Sequence, residues 1–141
     1  MIVYADTSAL IKLVLREAGS EEMRSLQADL TLLASARIAY AELRAALAAA
    51  NRDHRLPGRR MTQAKVQADV VWKATSPLEI DAELIAEAGD LAEAQALRGY
   101  DAVHLAALLR LGASNVVDLV ACWDENLRRA ARKFGYRLFP A

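Results

Sequence analysis

One cysteine, three prolines, six glycines and an aromatic share of 6% leave this 141-residue chain without most of the usual structural staples. A lone thiol, Cys122, cannot build an internal disulfide framework, and the scarcity fits a reducing compartment. Few prolines and glycines, beside 55% apolar and 26% charged residues, exclude a disordered or low-complexity chain and call for a packed core. No apolar run approaches the roughly 18 residues that cross a bilayer. Met1-Ile2-Val3-Tyr4-Ala5 has no basic leader before Asp6, so no secretory signal is expected; the expected location is the cytoplasm, with no membrane partner. The length fits one domain, 1–141.

Net charge is absent too, with 18 basic residues against 18 acidic ones. A neutral protein draws nucleic acid only through local patches, and the charge here is segregated. Arg52 to Lys73 holds six basic and two acidic residues, Glu79 to Glu93 holds six acidic and no basic ones, and Asp124 to Arg137 is basic again. Taken singly, each run reads as a solvated helix face.

What is present alternates. Short β-type runs at Ile2 to Ala5, Thr31 to Ala34, Leu78 to Ile80, Val116 to Cys122 and Tyr136 to Phe139 are separated by helical stretches, the pattern of an α/β fold with a mostly parallel sheet of about five short strands. Helices are expected from Ser8 to Arg16, Glu21 to Asp29, Arg37 to Asn51, Thr62 to Ala74, through the acidic stretch to Leu97, from Tyr100 to Leu111 and from Glu125 to Phe134. Pro57-Gly58 reads as a turn, and Pro77 as a helix stop. Tyr100 to Leu111 is apolar on nearly every side and should be buried.

Three acids, Asp6, Asp101 and Asp124, stand where a strand or loop passes into a helix. Each fits an N-cap, which contributes about 1 kcal/mol. Asp6 and Asp124 also follow strands, and the carboxyl ends of parallel strands share the edge where ligands bind. Glu42 is different. At 100° per residue it lies away from Arg44 and shares a stripe with Ile38, Ala45, Ala46 and Ala49, so it needs a cation, donors or a metal; an arginine from another helix is the plain alternative. Carboxylates about 4 Å apart repel by roughly 4 kcal/mol at an effective dielectric of 20, so four in one crevice call for a counter-charge. Oxygen ligands without a His or Cys cluster select a hard dication, Mg²⁺ or Mn²⁺, whose retained water can attack a phosphodiester.

Asp6-Thr7-Ser8 after the first strand, Glu42 in an Ala/Leu helix, Tyr100-Asp101-Ala102-Val103-His104-Leu105-Ala106 and the later Asp124 together resemble the PIN-domain ribonucleases, and among them the VapC-type toxins of bacterial toxin–antitoxin pairs. The resemblance spans essentially the whole chain. It implies an α/β/α sandwich and metal-dependent endonucleolytic cleavage of RNA. Asp6, Glu42, Asp101 and Asp124 match the acidic quartet that holds Mg²⁺ or Mn²⁺, and Ser8 matches the hydroxyl that helps hold the ion or its water. A cognate antitoxin and a homodimer are implied as well. One position departs: Cys122 stands two residues before Asp124, where the family usually has Thr or Ser, with Asn126 as a replacement polar group by spacing alone.

Other readings remain open at this level. A PIN-like binding module without activity is kept open by Cys122. A phospho-receiver domain also gathers acids and Mg²⁺ at a sheet edge, yet lacks here the adjacent acids and the following Lys it needs. His104, one turn past Asp101, reads as a core histidine or one supporting the acids rather than a general base. Cys122 reads as a buried strand residue, Tyr4, Tyr40, Trp72, Tyr100 and Tyr136 as anchors, and Trp123 as an anchor that could stack on a base. Arg52 to Arg60 and Arg128 to Lys133 are the cations expected to meet a phosphate backbone.

Overall fold

The computed structural model describes residues 1–141 and contains one five-stranded, wholly parallel sheet. In chain order the elements are β1 (Ile2–Ala5), α1 (Thr7–Val14), α2 (Ser20–Leu26), β2 (Leu32–Ala36), α3 (Ala39–Arg52), α4 (Arg59–Lys73), β3 (Ser76–Leu78), α5 (Ala82–Gln95), α6 (Gly99–Leu111), β4 (Leu119–Ala121), α7 (Glu125–Lys133) and β5 (Leu138–Phe139). The sheet order is β3-β2-β1-β4-β5. Chain direction across the sheet therefore reverses beside β1, and β1 with β4 flanks the switch point at which crevices form in such sheets.

Alternation along β1 sorts the layers. Val3 and Ala5 point to one face, where they meet Leu10, Leu13, Met23, Leu33 and Val71 from the side of α1, α2 and α4. Tyr4 points to the other, where Leu84, Leu105, Leu108, Leu127 and Ala131 of α5, α6 and α7 cover it. A third cluster, Leu43, Leu47, Ala50, Leu56, Ala64 and Ala68, packs α3 on α4. The result is the expected α/β/α sandwich. In α6 every residue from Ala102 to Leu108 is buried, so that helix is the solid centre of its layer. Each fully buried leucine there contributes about 2 kcal/mol.

Element types and order match the reading of the sequence; several boundaries do not. Pro77 does not merely stop a helix but lies within β3, paired beside Ser35. This is allowed because β3 is an edge strand, where a missing N–H breaks no ladder. The stretch Val116 to Cys122 supplies only the short β4, with Val116 and Val117 closing a turn back onto Ala113. The helix expected up to Asp29 ends at Leu26 and tightens into a 3-10 turn over Gln27–Asp29.

Candidate active site

Asp6 leaves the end of β1 and caps α1. Its Oδ1 accepts from Ser8 Oγ at 2.7 Å and from the Ala9 amide at 3.1 Å. Its Oδ2 has a single donor, the Cys122 thiol at 3.3 Å. Only 5% of the residue is exposed, and burial pushes the carboxyl up from its ordinary range, with His104, Ser8, Cys122 and the Ala9 amide pulling part of the way back. Ser8 is shared between elements, since its Oγ also accepts from the Trp123 amide at 2.8 Å. That bond ties the start of α1 to the segment after β4.

Asp124 repeats the arrangement one strand away. It caps α7, its Oδ1 accepting from the Leu127 amide at 2.9 Å, and no protein donor reaches Oδ2. Asp101 is not a cap: Arg98 holds that place, and Asp101 sits in the first turn of α6 with no hydrogen bond to its carboxylate. Burial first, then the charges of Asp124, Asp6 and Glu42, raise its carboxyl, against the pull of His104. Asp101 thus feels the charges of the other three acids across the cleft.

Glu42 lies in the first turn of α3, on the flank of the helix rather than in its core. The buried stripe is Ala39, Leu43, Leu47 and Ala50; of the stripe expected from periodicity, Ala45 is exposed and Ile38, Ala46 and Ala49 are half-buried. No arginine pairs with it. Instead Oε1 accepts from Thr7 Oγ1 at 2.9 Å and lies 2.7 Å from His104 Nε2, while Oε2 has no protein donor. Burial pushes the carboxyl up, but the hydrogen bond and charge of His104 together with Thr7 outweigh it, and the net shift is downward. His104 is buried, as expected of a core or supporting residue, and its Nδ1 lies 2.8 Å from the Tyr4 hydroxyl.

The donor set suits a hard dication. Glu42 and Asp124 each engage one oxygen with protein hydroxyl, amide or imidazole donors and keep the other clear, as one-oxygen ligands do, while the second oxygen of Asp6 meets only the weak thiol donor of Cys122. No three acidic, histidine or cysteine side chains lie close enough together to form a ligand shell by themselves. An ion such as Mg²⁺, which keeps several waters and takes only one or two carboxylates directly, asks for no closed shell.

Thr7 and Tyr4 are the functional neighbours missed in the sequence, and no local signal marks them, since their contacts span 35 and 100 residues. Other expectations change. Trp123 is not free to stack: its ring packs edge-on against Phe139 at 6.1 Å, carries Lys12 Nζ 4.7 Å from its centre and presses on Gly19. Of the core or interface roles expected for Tyr100, the core one fails, since the residue is 63% exposed beside Asp101. Arg128 is buried and bonds the carbonyls of Cys122 and Pro140, which removes it from the expected phosphate-binding cations. Asn126 accepts from Arg129 and does not turn to the acids. Arg52, Arg55, Arg59 and Arg60 are exposed, the nearest of them roughly 15 Å along α3 from Glu42 by helical rise. The cleft lined by Arg16, Arg55 and Arg60, about 580 Å³, contains none of the four acids.

A parallel β3-β2-β1-β4-β5 sheet with acids near its switch point defines a doubly wound α/β class, and not a receiver domain, whose sheet runs 2-1-3-4-5. Residues 3–133 match the PIN domain family. Ribonuclease VapC45 and ribonuclease VapC49 of Mycobacterium tuberculosis, from strains CDC 1551 / Oshkosh and ATCC 25618 / H37Rv, are each 44% identical over 140 residues, 99% of this chain and 96% of theirs. The crystal structure of M. tuberculosis VapC20, a sarcin-ricin loop cleaving toxin, superposes with a TM-score of 0.67 at 16% identity, covering 91% of this chain and 94% of that one. The chain belongs to the PIN domain family, within its VapC ribonuclease group.

Proposed function

We propose that this protein is an endoribonuclease that hydrolyses RNA phosphodiester bonds as the toxin of a toxin–antitoxin pair, with Asp6, Glu42, Asp101 and Asp124 holding Mg²⁺ or Mn²⁺. One domain, 1–141, carries the activity in the cytoplasm, as a homodimer restrained by its antitoxin. The ribonuclease relatives at 44% identity over nearly their whole length support the reaction class. The observation that carries the site is the oxygen left clear on Glu42 and on Asp124, and met only by the weak Cys122 thiol donor on Asp6, beside the switch point of the sheet.

Such an ion, when bound, would activate a water and offset the charge that grows on the phosphate. The chain's own residues prepare the ground. Ser8 and the Ala9 amide fix the rotamer of Asp6, and the Leu127 amide fixes that of Asp124. Asp101, bonded to nothing, keeps both oxygens for the ion and its waters. The rim offers a path for RNA: Tyr100 presents its ring to solvent, Arg98 is exposed at the start of α6, and Arg129 bonds only Asn126 and the Gln95 carbonyl, leaving its charge without a carboxylate partner.

The test is cleavage of a panel of RNAs by protein freed of antitoxin. Cleavage is expected with Mg²⁺ or Mn²⁺, lost in EDTA, and lowered at least about 100-fold in Asp101→Asn. Wild-type rates in Asp101→Asn, or full activity in EDTA, overturn the reading. Binding without cleavage under either ion transfers the case to a PIN-like binding module.

A further inference from the structure

Among the acids, Glu42 has the most elaborate support, and it comes from across the fold. His104 is 3% exposed, yet both ring nitrogens are engaged, Nε2 at 2.7 Å from Glu42 Oε1 and Nδ1 at 2.8 Å from the Tyr4 hydroxyl. A carboxylate only accepts, so Nε2 carries a proton and donates it. In the neutral ring Nδ1 is then the acceptor, and the Tyr4 hydroxyl donates to it. Tyr4 itself cannot move: it is fully buried in the central strand, hydrogen-bonded between β2 and β4. The line runs from β1 through a ring on α6 to a carboxylate on α3. Thr7 donates to the same oxygen, so both donors fall on Oε1 and none on Oε2.

We propose that His104, held by hydrogen bonds between Tyr4 and Glu42, is a positioning residue that turns Oε2 of Glu42 toward a divalent cation. This deepens the metal-dependent reading and rests on it. A buried histidine that only filled space would need neither nitrogen satisfied by a member of the site. Carboxylate ligands held by a second hydrogen-bonding group lose about 10–100-fold in metal affinity when that group is removed.

The experiment measures Mn²⁺ binding by electron paramagnetic resonance on the full chain, beside ¹H–¹⁵N spectra of the imidazoles. A glutamine amide falls near the place of Nε2 and an asparagine amide near that of Nδ1. His104→Gln should therefore hold Mn²⁺ within about 3-fold of wild type, whereas His104→Asn should lose about 10–100-fold. The wild-type spectrum should show a proton on Nε2 of His104, and Tyr4→Phe, which removes one oxygen and no ring, should leave Nδ1 without its partner and weaken Mn²⁺ binding. Equal losses in Gln and Asn, or wild-type affinity in Asn, overturn the proposal. If neither variant folds, wild-type Mn²⁺ affinity in Tyr4→Phe overturns it. Wild-type protein that binds no Mn²⁺ overturns the metal reading itself, a separate result.

Discussion

The Sγ of Cys122 lies 3.3 Å from Oδ2 of Asp6, so a thiol takes the place that a hydroxyl usually holds beside the first acid. It is fully buried, and burial, reinforced by the Asp6 charge, raises it well above the ordinary thiol range. A thiol kept neutral in this way still donates, though weakly. The departure from the family pattern therefore leaves the bond to Asp6 in place and changes its strength.

Cys122 should accordingly be inert in the folded protein. Alkylation by iodoacetamide, followed by intact mass, is expected to run at least about 100-fold slower on native than on urea-unfolded chain. Cys122→Ser keeps a donor toward Asp6 and should retain cleavage, whereas Cys122→Ala removes it and should lower cleavage. Fast labelling of native protein, or an Ala variant as active as wild type, would contradict the bond.

Removing a charge at Asp101 should stabilise the metal-free protein. Its carboxyl is raised in the fold, so the native state disfavours the ionised form; the penalty is present above the folded value and disappears below the ordinary value of 3.8. Asp101→Asn is therefore expected to raise Tm in EDTA at pH 7.5 by about 1–3 °C, since the half-open pocket screens part of the repulsion. The gain should vanish toward pH 3.5. Added Mg²⁺ should lift the wild-type Tm more than that of the variant. A variant that melts below wild type at neutral pH would place Asp101 among structural acids.

Tyr100 should matter to substrate and not to stability. A base stacked on an aromatic contributes about 1–3 kcal/mol, so Tyr100→Ala should raise KM for a single-stranded RNA about 5-fold or more. Tyr100→Phe keeps the ring and should stay near wild type. With 63% of the residue exposed and no hydrogen bond to its hydroxyl, Tm should not change in either. Equal KM across the three proteins would remove Tyr100 from the RNA path.

Gly19 precedes α2 with φ at +87°, and a Cβ there would stand 2.9 Å from the Trp123 ring. Gly19→Ala meets both a left-handed backbone and a rigid indole wedged between Phe139 and Lys12. Urea unfolding should show a loss of about 2–4 kcal/mol. A loss under about 0.5 kcal/mol would mean that the indole yields freely.

The order of elements was legible because short β-type runs of two to five residues and long alanine-rich helices carry distinct patterns. Asp6 and Asp124 were legible as well, since the residue after a parallel strand falls on the ligand-binding edge wherever the strand lies in the sheet. The orientation of Glu42 was not. In a helix with alanine on every side, periodicity barely distinguishes core from flank, and only packing of Leu43 and Leu47 on α4 decides which face turns inward. The different exposure of Trp123 and Tyr100 was hidden for a similar reason: each adjoins an acid in sequence, and burial is settled by what lies across the fold, Phe139 and Lys12 for one and solvent for the other. Thr7 and Tyr4 speak only through partners far along the chain.

The pairing of β1 with β4 has a consequence in time. Cys122 meets Asp6, and the Asp118 carboxylate meets the amide of Ile2, across 116 residues each. A nascent chain therefore leaves the ribosome with its first acid long before the strand that completes the cleft has been made. Until that strand docks, the acids belong to separate, unjoined stretches of polypeptide. The cleft is therefore assembled only when nearly the whole chain has been made.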